Sequence, residues 1–332
     1  INKPNVSVLD AYNPDIVFVK FQEDSTGLNA SVSQQRAYAG ISGSTRSDTV
    51  TGIKKLTNNR YVICGHTNTN SSNPLDAFVI VIDNTGTFVT KRKIASDLKS
   101  EKIVDFIIKN EQIYFLMETA ATNVATDISL TLGKCRLDGN VILVDWMKEF
   151  TNPTYSFLNS TIELDEFEDF YLTSTLCLKA TPTVKNAFWV AKINDTPSVI
   201  WSYSYAVAGG NIDTVNRGSV DIFGDINIAY TKTHTNDEIS LEAVQVNYKG
   251  EIVGHTSNRL TPNGDVYNNI EGIKSYATAN DVSGDLTVYG QSQWNRNEFT
   301  FTFDQTDSAT DTCGKYTPTL IGNDSTDALT LV

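Results

Sequence analysis

Residues 48–89, DTVTGIKKLTNNRYVICGHTNTNSSNPLDAFVIVIDNTGTFV, read as four short strands joined by three turns. Degraded copies of this unit recur along the chain, and that recurrence is the strongest constraint on its fold. Within the unit the strands are Val50–Leu56, Tyr61–Gly65, Phe78–Ile82 and Phe88–Arg92. Asn58-Asn59 and Asp83-Asn84-Thr85-Gly86 fall at the turns, where hairpins need residues that tolerate positive φ. The next copy has strands near Lys102–Ile108, Gln112–Met117, Ile128–Arg136 and Val141–Lys148. The third runs Ser160–Leu164, Phe170–Leu176, Phe188–Ile193 and Val199–Tyr205. In the fourth, Asp213-Thr214-Val215 aligns with Asp48-Thr49-Val50, and Thr233-His234-Thr235-Asn236 with Gly65-His66-Thr67-Asn68. A fifth opens at Ile270-Glu271-Gly272-Ile273 and continues through Leu286–Gly290 and Phe299–Phe303.

The third strand is the clearest marker. Its polar lead-in residues are Asp15, Asp76, Asp127, Asn186, Glu238 and Asn297, at intervals of 61, 51, 59, 52 and 59 residues. Periods of this size belong to propellers, solenoids and arrays, and four-stranded antiparallel units suit propeller blades. The expectation is an all-β chain: one six-bladed β-propeller domain over residues 1–332, with a seven-bladed or incomplete ring as the alternative. The first copy has strand-like runs at Val6–Leu9, Ile16–Phe21 and Ser33–Tyr38 and lacks an innermost strand. The last residues, Asp327–Val332, are expected to supply it and so close the ring without a free sheet edge. Residues 304–326 would then hold the sixth outer strand and a loop with Cys313.

The succession Gly65-His66-Thr67, a polar loop, Asp76, the apolar strand Phe78–Ile82 and Asp83–Gly86 resembles short β-propeller repeats of secreted and cell-surface bacterial proteins. Trp201-Ser202-Tyr203 is similar to the aromatic outer-strand ending of such repeats. The resemblance implies a fold and an extracytoplasmic setting. It implies no activity and carries over no catalytic residue.

Composition narrows the partners. The chain has 332 residues and a formal net charge of -13, which repels nucleic acid and anionic head groups. No apolar run reaches the ~20 residues that span a bilayer. The chain starts at Ile1 rather than Met, which reads as a processed chain or a fragment. Cys64, Cys135, Cys177 and Cys313 form no CxxC pair, so two disulfides or buried free thiols are both open. Sequons stand at Asn5, Asn29, Asn70, Asn159, Asn194 and Asn323, about as many as chance gives in a chain this rich in Asn, Ser and Thr.

Candidate chemistry is sparse. His66 and His234 share a repeat position and His255 stands apart; a metal pair is conceivable, but an ordinary slot of the repeat accounts for them. Glu163, Asp165, Glu166, Glu168 and Asp169 form the densest acidic run. Paired carboxylates could serve a glycosidase and an acidic loop could hold calcium, yet the run falls in a turn and reads first as solvated. Gly52, Gly218 and Gly272 are assigned to innermost strands, where backbones crowd. Trp146, Trp189, Trp201 and Trp294, with Tyr203 and Tyr205, could stack on sugars or pack between blades. Lys91-Arg92-Lys93 reads as protection of an outer edge. G-x-S-x-G, P-loop and G-x-G-x-x-G patterns are absent, so no cofactor is expected. The leading expectation is a non-catalytic extracellular structural or adhesive module that binds protein or glycan, with a self-assembling subunit of a surface filament or appendage as one form of it. The alternative is a carbohydrate-active enzyme or lectin that uses a central funnel.

Overall fold

The computed structural model describes residues 16–23, 30–38, 47–68, 75–94, 99–120, 126–207, 210–215, 218–221, 223–234, 239–259, 269–276, 285–291, 298–303 and 330–331. Every regular element among them is a strand. No helix there is long and apolar enough to cross a membrane.

The strands form antiparallel meanders in chain order. β1 (Ile16–Glu23) and β2 (Ala30–Tyr38) make a two-stranded sheet. β3 (Ser47–Lys55), β4 (Tyr61–Asn68), β5 (Asp76–Ile82) and β6 (Phe88–Ile94) make a four-stranded one. β7 (Ser100–Lys109), β8 (Gln112–Ala120), β9 (Ile128–Asp138) and β10 (Val141–Thr151) follow, then β11 (Tyr155–Leu164), β12 (Phe170–Leu178), β13 (Ala187–Ile193) and β14 (Val199–Ala206). The next sheet holds β15 (Gly210–Val215), β16 (Ser219–Val220), β17 (Ile226–His234), β18 (Ile239–Val246) and β19 (Ile252–Arg259). β20 (Asn269–Tyr276), β21 (Asp285–Gln291) and β22 (Glu298–Phe303) form the last, and β23 is Thr330–Leu331.

The chain divides into two compact units, residues 1–125 with 130–149, and residues 126–129 with 150–332. In the first unit the β3–β6 sheet is covered on both faces. Phe78, Ile80 and Ile82 of β5 meet Ile16 and Phe18 of β1, together with Ile63. The alternate residues Ala77, Val79 and Val81 meet Ile103, Phe106, Phe115, Cys135 and Ile142 of the following sheet. This explains why β5 reads as an unbroken apolar run: all seven residues are buried. Strand β6, at the rim, is exposed or half-buried along its length and buried only at Ile94. In the second unit Tyr171, Phe188, Val190 and Tyr205 of β11–β14 pack on Ile212, Ile226, Ile228, Tyr230, Val244 and Val246 of β15–β19. Burying one such side chain contributes ~1.5–3 kcal/mol.

Two devices repeat. Each pairing of a sheet's first and second main strands carries a register shift: at Val50/Gly52, Ile103/Asp105, Leu158/Thr161, Ile212/Thr214 and Asn269/Gly272. The other is a five-residue turn whose head residue closes it twice. Asp83 N donates to Thr87 O (2.9 Å), and Thr87 N donates back to Asp83 Oδ1 (2.8 Å). Asp165 with Asp169, Asn194 with Ser198, Asp221 with Asp225 and Asn247 with Glu251 make the same pair of bonds. Position four has positive φ at Gly86, Glu168, Gly224 and Gly250.

The strand expectations hold with shifted ends. β11 starts at Tyr155 rather than Ser160 because the shift at Leu158/Thr161, with Asn159 at φ 52°, breaks the alternation that marks a strand. Gly218 lies between β15 and β16, not inside an innermost strand. Gly52 does sit where space is short, since a Cβ there would come 3.2 Å from Phe106 Cε1. Thr330 and Leu331 pair with Thr151 and Phe150 of β10 rather than with β1. Residues 6–15 and 327–329, and the loop with Cys313, lie outside the described residues.

Beside β1 runs a cleft of about 730 Å³, lined among others by Phe18, Val50, Ile53 and Tyr61. Val50 and Ile53 of β3 are 41% and 46% exposed there, whereas Ile103 and Phe106 of β7, and Phe157 and Ile162 of β11, are buried. The first sheet has no described inner strand to cover them.

Gly65→Ala tests the packing at the end of β4. A Cβ would lie 2.1 Å from Thr49 O and 2.7 Å from Phe78 Cζ. The expected loss is about 2–3 kcal/mol in urea unfolding. Gly139→Asn, in an open turn at φ 60°, should stay within about 0.5 kcal/mol of the parent.

Candidate functional site

In the second unit three turns carry aromatic residues at their tips. Phe167 lies in the β11–β12 turn, Phe223 in the β16–β17 turn and Tyr248 in the β18–β19 turn. They are 71%, 54% and 54% exposed. First-to-second and third-to-fourth turns of a meander fall at the same end of a sheet. The head-residue bonds hold the turn backbones, so the central side chains point outward. Phe167 lies against the turn of the next sheet, its Cε2 3.5 Å from where a Cβ on Gly224 would be.

Polar tips of aromatic side chains from β11–β14 fasten these turns from beneath. Tyr171 OH donates to Gly224 O (2.6 Å), Trp201 Nε1 to Tyr248 O (2.7 Å) and Tyr205 OH to Gly250 O (2.7 Å). Trp201 also meets Tyr171 edge-on at 5.8 Å and stacks with Tyr203 at 5.6 Å. The result is a platform of three neighbouring turns with exposed rings, Phe167, Phe223 and Tyr248, resting on the linked aromatics Tyr171, Trp201, Tyr203 and Tyr205. Burial first, and then Asp165, Asp225, Asp169 and Asp221, push the Tyr171 phenol well above its usual range, which keeps it a hydrogen-bond donor.

Charged groups rim the platform. Lys192 Nζ lies 2.7 Å from Asp165 Oδ2 and 3.6 Å from Asp169 Oδ2, and above the rings of Tyr171 (5.1 Å) and Phe167 (5.9 Å). The 2.7 Å contact is an ion pair off the hydrogen-bond direction, since Asp165 Oδ2 makes no hydrogen bond. Gln245 Nε2 donates to both Asp221 Oδ2 and Asp225 Oδ2 at 3.3 Å, and Tyr248 N donates to Asp225 Oδ1 at 3.1 Å. Burial, then the Asp221 charge, raise the Asp225 carboxyl above its ordinary value.

A second ionisable group lies inside the same unit. Glu242 accepts from Tyr230 OH (2.7 Å), contacts His255 Nε2 (3.2 Å) and lies 3.7 Å from Lys232 Nζ. The side chains of Lys232 and Glu242 are each 1% exposed, so this group braces the interior and cannot touch a substrate.

The acidic run thus separates. Glu166 and Glu168 are exposed as a solvated turn requires, but Asp165 is buried and paired, which the solvated reading did not foresee. His66 lies inside β4 near its end, where burial and then Lys102 lower its imidazole to about 4. The side chains of His234 and Trp294 lie outside the described residues. No group of three or more metal-binding side chains occurs among the described residues. Trp189 packs edge-on against Phe157 and donates to Ser202 Oγ, and Trp146 meets Tyr114; both are packing residues. Cys64, Cys135 and Cys177 are buried free thiols. Arg92 reaches Ile142 O and Lys93 pairs with Asp76, so the basic run braces the β6 edge. Asn194 Oδ1 closes its own turn, Asn159 sits at a bulge, and Asn5, Asn29, Asn70 and Asn323 lie outside the described residues.

Phe167, Phe223 and Tyr248 went unnoticed in the sequence. The signal is an aromatic inside a five-residue turn, third in DEFED and DIFGD and second in NYKGE, where turn chemistry favours polar residues.

No protein-family model matches the chain. No curated protein matches it either. Among solved structures it is similar to an endo-arabinase from Bacteroides thetaiotaomicron VPI-5482, at 10% identity and TM-score 0.40, covering 78% of this chain and 92% of that one. It is similar to the Hadza microbial sialidase Hz136, at 9% identity and TM-score 0.43, over 72% and 54%. A third is the Cellvibrio cellulosa alpha-L-arabinanase, at 7% identity and TM-score 0.38, over 77% and 91%. These are β-propeller proteins. At such scores the likeness carries no weight for activity, and the architecture rests on the sheets themselves.

Lys192→Met leaves the Asp165 carboxylate buried without its cation and should cost about 3–5 kcal/mol, of which a Lys192→Met/Asp165→Asn double variant recovers most. His66 gives a pH signature. The unfolded imidazole takes a proton below its usual 6.5, the folded one only near 4. Stability is therefore full above 6.5 and falls as pH drops toward 4. Because the ring is part-exposed, this contributes no more than about 1–2 kcal/mol. His66→Gln should flatten the denaturation midpoint over that window.

Proposed function

We propose that this protein is a six-bladed β-propeller that binds glycans non-catalytically through the platform of Phe167, Phe223 and Tyr248, in an extracytoplasmic setting. The observation that carries the reading is the exposure of three aromatic rings on rigid turns of one unit, with carboxylates and an amide at their rims. A pyranose has an apolar face that lies flat on an aromatic ring and a ring of hydroxyls that needs hydrogen-bond partners at the edge. Exposed apolar surface held this firmly marks a contact site. The repeat of four-stranded meanders supports the blade count.

One observation favours a hydrolytic second reading. Asp221 and Asp225 share one amide donor, and burial, then the Asp221 charge, raise Asp225, the arrangement that separates an acid from a base. Release of reducing sugar that disappears in Asp225→Asn, with the fold intact, would establish it.

Binding to immobilised oligosaccharides tests the main reading. Phe167→Ala and Tyr248→Ala should each weaken binding by about tenfold, ~1.4 kcal/mol, without shifting the melting temperature by more than ~2 °C. Unchanged affinity in both variants would remove the platform from the function.

A further inference from the structure

The charge around the platform says which glycans it takes. Across turns 165–169, 221–225 and 247–251 the sequence places seven carboxylates against one lysine, Lys249. A second cation, Lys192, lies over the Tyr171 and Phe167 rings and is already held by Asp165 and Asp169. The imbalance extends beyond the turns. The second unit carries 24 Asp and Glu against 10 Lys and Arg, while the first carries 15 against 16. The chain's net negative charge therefore belongs to the unit that presents the exposed rings.

We infer that the platform selects cationic amino-sugar oligomers and turns away glycans that carry uronic or sialic acid. The inference rests on the glycan reading above and sharpens it. An ammonium on a sugar stacked over Phe167 or Tyr248 comes within a Debye length, ~8 Å at physiological salt, of Asp169, Asp225 and Glu251. A carboxylated sugar at the same place meets like charge, which the committed Lys192 does not offset. The rings supply stacking for either ligand, so the carboxylates alone discriminate. Lys192 itself, set over Tyr171 and Phe167, shows that these ring faces accept an ammonium.

The test uses the intact chain and three oligomers of equal length: glucosamine, N-acetylglucosamine and galacturonate. Calorimetry is run at about 20 mM and about 300 mM salt. At low salt the glucosamine oligomer should bind about tenfold tighter than its acetylated form, with the gap closing at high salt and the galacturonate oligomer silent. Glu166→Lys alters an exposed side chain away from the ion pairs; it should cut the amino-sugar preference about threefold and leave N-acetylglucosamine binding unchanged. Equal affinity for the amino and acetylated oligomers at low salt overturns the selectivity while leaving glycan binding intact. Galacturonate binding as tight as either overturns it too. Silence of all three oligomers overturns the glycan reading and this inference together.

Discussion

The fold depends on the hydrogen bond that a turn's head residue makes to its own last backbone N–H. Central strands such as β5 are apolar on both faces, so hydrophobic alternation alone does not fix their register. A one-residue slip would exchange the set Phe78, Ile80, Ile82 for Ala77, Val79, Val81, and both sets are apolar. The turns settle the matter. With Asp83, Asn194 and Asn247 each bonded twice across five residues, the following strand can enter in one register only. The bulges in the first strands then tilt each sheet at a fixed place. Once register is set, the larger side chains of β5 fall on one face and the smaller on the other.

The same turns make the candidate site. A turn closed at its ends by backbone and side-chain bonds has no freedom at its tip, so an aromatic there is displayed at no further entropic cost. Tyr171, Trp201 and Tyr205 add a second set of bonds from the sheet below. Charged residues divide into two kinds. Lys232 with Glu242, and Lys192 with Asp165, are enclosed pairs that hold geometry. Asp169, Asp225 and Glu251 belong to the rim, where they give the surface its sign.

The repeat was legible because strand period and turn chemistry are local properties. Asp83-Asn-Thr-Gly and Lys249-Gly250 announce their hairpins without help from the rest of the chain. Ends of strands were less legible where a bulge breaks alternation, as at Asn159 in β11. The site was legible only in part: Trp201, Tyr203, Tyr205 and the acidic run 163–169 stand out in the sequence, the exposed tips Phe167, Phe223 and Tyr248 do not. Asp165 and Asp169 look alike in sequence, and only packing against Lys192 on β13 separates a buried carboxylate from a rim one. Phe167, Phe223 and Tyr248 are distant from one another along the chain and converge only because two stacked sheets bring their turns to one end. His66 drew notice through its rarity, yet its significance is thermodynamic: a neutral imidazole that resists protonation.

The two-stranded first sheet has a consequence for the order of events at the ribosome. β1 and β2 emerge before any other described strand, yet an isolated hairpin is marginal in water. Ile16 and Phe18 find their partners only on β4 and β5, which are made later. β1 and β2 must therefore wait for β4 and β5. The hairpin gains its apolar cover only once the β3–β6 meander is in place.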